Sequence, residues 1–82
     1  MISGERPVLS VLSPRELEVL GMVSGGLTNV EIARRLEVTV HAIKFHLASV
    51  YRKLGVSNRT EAAATYLTAK GPVVGEAVGG SE

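Results

Sequence analysis

The side chains able to do chemistry in this sequence are few and unevenly placed. His41 and His46 lie in the stretch HAIKFHLASVYRKLG, residues 41–55, together with Lys44, Phe45 and Arg52. A separation of five residues takes two side chains off the common face that the i, i+4 pair of a zinc helix needs. The chain contains no cysteine and no aspartate to complete a metal or catalytic set. No catalytic constellation, metal site or cofactor is therefore expected.

The remaining chemistry is cationic. From Arg34 to Arg59 the basic residues are Arg34, Arg35, Lys44, Arg52, Lys53 and Arg59, and the only acid is Glu37, a local charge of +5 in a chain of net charge +1. Positive charge gathered in one segment of a nearly neutral protein is the footprint of a polyanion binder, and a solvated basic helix face would show the same count. At 100° per residue, Ile43, Leu47, Val50, Tyr51 and Leu54 form one apolar stripe. Phe45, the one phenylalanine of the chain, falls roughly 175° from the centre of that stripe, beside His41, Ala48 and Arg52. His46 lies at the stripe's edge, where a structural role suits it. An exposed aromatic ring among cations fits contact with a thymine methyl in a major groove, or a surface that docks another protein.

These residues need helices to hold them, and the sequence marks four. Ser13-Pro14-Arg15-Glu16 is a capping box with proline at its first helical position, followed by Leu17, Leu20 and Val23 and closed by Gly25-Gly26. Thr28-Asn29-Val30-Glu31 is a second box, opening a short helix with Ile32, Ala33 and Leu36 on its buried face and ending near Glu37-Val38. Thr39 caps the third helix, which runs to Leu54 with Gly55 as its terminator. Asn58-Arg59-Thr60-Glu61 is a third box, opening a helix with Ala62, Ala63, Tyr66 and Leu67 on one side and stopped at Gly71-Pro72. The fold class is all-α, with Leu17, Leu20, Ile32, Leu36, Ile43, Leu47, Val50 and Leu54 as the expected core.

Residues 1–11 lack a period and read as a flexible tail or linker; 12–71 form the domain; 72–82, within the Gly-rich run GPVVGEAVGGSE, read as disordered. No apolar run reaches the length of a membrane span, and residues 1–10 lack the layout of a signal peptide, so a soluble cytoplasmic protein is expected.

A short helix, a turn of about three residues and a longer amphipathic helix have helix-turn-helix spacing. In that motif the second helix lies in the major groove and the first braces it. The face opposite the apolar stripe then becomes the reading surface: His41, Lys44, Phe45 and Ala48 toward bases, with Arg52 toward the backbone. Lys44 can donate to guanine O6 and N7 or neutralise a phosphate. Further backbone candidates are Ser13, Thr28, Asn29, Arg34, Thr39 and Ser49, of which the first three are helix-start residues before they are phosphate donors.

The segments LSPRELEVL, GLTNVEIARRL and TVHAIKFHLASVYRKLGVSNRTEA resemble the LuxR-type (GerE-like) DNA-binding domain of bacterial transcription regulators, over roughly residues 12–71. The resemblance implies a four-helix domain that reads double-stranded DNA through positions 44, 45 and 48 and regulates transcription. It also implies dimerisation through the fourth helix, RNA polymerase as a further partner, and use as the output domain of a response regulator or ligand-sensing protein. Ala42 stands where the family usually has threonine, removing a phosphate hydroxyl, and Ala48 stands where it often has a polar residue. The second face of the fourth helix, Glu61, Ala64, Thr65 and Thr68, is unusually small and fits a two-fold contact or a plain solvated surface. The expected function is sequence-specific DNA binding as a dimer on paired half-sites; the alternative is a helical module that docks a protein through Phe45.

Overall fold

The computed structural model describes residues 7–70. The four helices are α1 (Pro14–Ser24), α2 (Asn29–Leu36), α3 (Val40–Leu54) and α4 (Arg59–Lys70), preceded by a single 3-10 turn at Val8–Val11. No strand occurs among the described residues. The helix starts are written in the capping residues. Ser13 Oγ accepts from the Glu16 N–H while Glu16 accepts from the Ser13 N–H, and Thr28 and Glu31 repeat the exchange. Thr39 Oγ1 accepts from the Ala42 N–H. At α4 the box is displaced by one residue: Asn58 Oδ1 accepts from the Glu61 N–H, but the Glu61 carboxylate takes the N–H of Ser57.

The helix ends follow the same local logic. Gly26 and Gly55 adopt φ of 95° and 71°, which costs glycine little. The helix-turn-helix turn is different. Its left-handed residue is Glu37, at φ 58° and ψ 45°, a conformation in which a side chain is strained.

Two apolar clusters hold the helices together. Val19, Val23, Ile32, Ala33, Ile43 and Leu47 join α1, α2 and α3; Leu12, Leu20, Val50 and Ala62 join α1, α3 and α4. Tyr51 packs against both. Leu20, Ile32 and Ile43 are completely buried, worth about 1.5–3 kcal/mol each against exposure. α4 packs mainly on α1, and α2 on α3.

Four expectations change. Leu17 is exposed, because the inward face of α1 is Glu16, Val19, Leu20 and Val23, an i, i+3, i+4, i+7 set whose centre lies roughly 110° from Leu17. Leu67 of α4 is likewise exposed, while Tyr66 turns inward against Gly21: a Cβ at Gly21 would lie 3.1 Å from the Tyr66 hydroxyl. Leu36 and Leu54 are half-buried and flank the core. Finally, residues 8–11, assigned from sequence to a flexible tail, form the 3-10 turn and pack Leu9 beside Leu12 in the second cluster. The expectation of a disordered Gly-rich tail falls at 72–82, outside the described residues.

Candidate nucleic-acid interface

The packing of α3 determines what it can offer. Its inward residues Ile43, Leu47 and Val50 are buried, and its outward residues His41, Lys44, Phe45, Ala48 and Arg52 are exposed. Phe45 is 70% exposed. Its ring lies edge-on to that of His46, 6.0 Å between ring centres. No group of three potential metal ligands occurs among the described residues.

The cations divide into two groups. Arg34, Arg35, Lys44 and Arg52 are exposed and pair with no carboxylate among the described residues. Arg52 Nη2 lies 3.5 Å from Ser49 Oγ, at the outer limit of a hydrogen bond. Lys53 and Arg59 are committed to partners within the protein. Lys53 Nζ is 2.8 Å from Glu16 Oε1. Arg59 donates from Nη1 to Asn29 Oδ1 at 2.7 Å and from Nη2 to the Leu27 carbonyl. The local charge of +5 is thus largely delivered to the surface by α2 and α3.

Beneath α3 sits a polar knot that the sequence did not announce. The Glu16 carboxylate accepts from Lys53 Nζ, from Ser49 Oγ at 2.6 Å and from the Ser13 N–H. With Lys53 contributing most, then Ser49 and Ser13, these bonds hold the Glu16 carboxyl at about 2, well below the usual glutamate range. Ser49, expected at a phosphate, is instead buried, and its hydroxyl donates a hydrogen bond to the Glu16 carboxylate, which, buried, needs donors.

The other backbone candidates fall in two places. Thr28 is exposed and Asn29 half-buried at the start of α2, with Arg34 on its exposed side; Thr39 is exposed at the start of α3. Ser13 is half-buried at the start of α1, next to the Glu16 knot. Glu31, beside Thr28, is held below its ordinary pKa chiefly by the Thr28 N–H. On α4, Glu61, Ala64 and Thr68 are exposed and Thr65 is half-buried, with its hydroxyl donating to the Glu61 carbonyl. Val8 of the 3-10 turn joins Ala64, Thr65 and Thr68 around a shallow depression of about 310 Å³. No helix among the described residues is long and apolar enough to cross a membrane.

Comparison with known proteins bears on this geometry. The family described as "Bacterial regulatory proteins, luxR family" (GerE) matches residues 10–66. YhjB of Escherichia coli (strain K12) is 47% identical over 55 residues, 67% of this chain and 28% of YhjB. SgaR of Hyphomicrobium methylovorum is 42% identical over 60 residues, 73% of this chain and 28% of SgaR. The HTH-type transcriptional regulator MalT of Vibrio campbellii is 43% identical over 56 residues, 68% of this chain and 6% of MalT. The matched segment is a minor part of each relative's length.

Proposed function

The chain belongs to the LuxR family of bacterial regulatory proteins, and from that premise we propose that it binds double-stranded DNA with α3 in the major groove and thereby regulates transcription. The observation that carries the reading is the outward face of α3. A helix fixed by Ile43, Leu47 and Val50 leaves Lys44, Phe45, Ala48 and His41 exposed toward bases, with Arg52, two turns beyond Lys44, toward a phosphate. Thr28, Asn29 and Arg34 on α2 and Thr39 at the start of α3 supply backbone contacts on either side.

One helix-turn-helix reads few base pairs. Two copies joined through Glu61, Ala64, Thr65 and Thr68 of α4, on half-sites about one helical turn apart, form the working state in this reading. RNA polymerase is the further partner that transcription regulation implies.

Salt dependence tests the proposal. A domain contacting about four phosphates loses affinity with a log–log slope of about −3.6. Docking of a protein on Phe45 through apolar contact responds little to salt, so a flat dependence would favour that second reading, whose supporting observation is the 70% exposure of the ring.

A further inference from the structure

Arg59 is the one cation of the basic segment that reaches across the fold to neutral acceptors. It is the first residue of α4, yet both arms of its guanidinium end at the entrance to α2, on the Leu27 carbonyl and on Asn29 Oδ1. Leu27 precedes the cap Thr28, and Asn29 is the first residue of α2. The two arms therefore fix the α1–α2 turn and the Asn29 side chain as one unit.

Two features set this apart from ordinary packing. Among the described residues no carboxylate lies within ion-pair distance of Arg59. The guanidinium is nevertheless held at the positive end of the α2 dipole, where a cation is electrostatically unfavourable. Second, an asparagine amide has an accepting end and a donating end. With Oδ1 on Arg59, the two Nδ2 protons are the end left over. Arg59, Asn29, Thr28, Leu27 and Val30 line a shallow depression of about 410 Å³ on this side of the domain.

We infer that Arg59 is a positioning residue for DNA binding: it holds the Asn29 amide with its donor end toward a backbone phosphate and leaves an unneutralised positive charge behind it. The inference rests on the DNA-binding reading above. An arriving phosphate would meet two amide protons already oriented and a cation otherwise uncompensated, so the ordering cost falls on the free domain and not on binding. It predicts that Arg59 and Asn29 act on DNA as one unit.

The test is a double-mutant cycle on the affinity of the 82-residue chain for a duplex that the wild type selects from a random pool. Arg59→Lys keeps the charge and loses the two-armed fork; Asn29→Ala removes the donor. Each single change is expected to weaken binding by about tenfold, and the double change no more than either alone. Wild-type affinity in Arg59→Lys, or losses that multiply in the double variant, overturns the inference while leaving DNA binding by the domain intact. A wild-type chain that selects no duplex defeats the underlying reading and the inference with it. Should Arg59→Lys fail to fold, the wild-type Asn29 side-chain amide decides: its Nδ2 protons shift on adding duplex if they meet phosphate, and unmoved Nδ2 protons overturn the assignment.

Discussion

Lys44 and Arg52 are both exposed cations on α3, two turns apart, and the account gives them different work. Lys44 flanks Phe45 at the middle of the outward face, so Lys44→Ala should cost about 1–3 kcal/mol of specific binding and relax preference at one base pair. Arg52 should serve the backbone: Arg52→Ala weakens all sequences alike and flattens the salt slope by about one. Binding across a randomised site library separates them, and a changed consensus in Arg52→Ala would move that residue among the readers. A third residue governs stability. Glu16 is buried with its pKa lowered to about 2 by Lys53, Ser49 and Ser13. A folded-state value below the unfolded one means that its contribution is complete above about pH 5 and disappears as pH falls toward about 2, on the order of 3 kcal/mol in all. Urea titrations across that range should show a steeper acid loss in the wild type than in Glu16→Gln. Equal losses in the two proteins would remove Glu16 from the explanation.

At the scale of elements, the turn between α2 and α3 determines where the outward face points, and it contains a left-handed glutamate. Glu37 has φ 58° and sits at the negative end of the α2 dipole, two unfavourable circumstances for one side chain. Glu37→Gly should stabilise the domain by about 0.5–1 kcal/mol, raising Tm by roughly 3–6 °C, and leave the α3 surface in place. A lower Tm would show that the Glu37 side chain makes a contribution outweighing its strain. The elements themselves were legible in the sequence because their signals are local: each cap, Ser13, Thr28, Thr39 and Asn58, bonds within four residues. Phase was less legible. Leu17 and Val19 compete for the inward side of α1, and the choice is made by Glu16, which turns inward to reach Lys53, 37 residues away. The partners of Arg59, 30 and 32 residues distant, could not be read for the same reason. The 3-10 turn at Val8–Val11 has too few residues to show a period at all.

For the molecule as a whole, the two apolar clusters meet at Tyr51 on α3. The helix proposed to enter the groove is therefore also the one on which the others converge. Its outward face inherits the rigidity of the core, which suits a surface that must match base edges to within a hydrogen bond. The charge count from sequence overstated the free charge of the basic segment: two of its six cations, Lys53 and Arg59, bond to partners within the protein. The central claim is that α3 meets DNA by the side opposite Ile43, Leu47 and Val50. Amide chemical shifts of the labelled chain, followed while a cognate duplex is added, test it most directly. The account predicts the largest changes at His41, Lys44, Phe45, Ala48 and Arg52, with a second group at Thr28 and Asn29. Changes confined to α4 and the Val8–Val11 turn, with α3 unmoved, would contradict it.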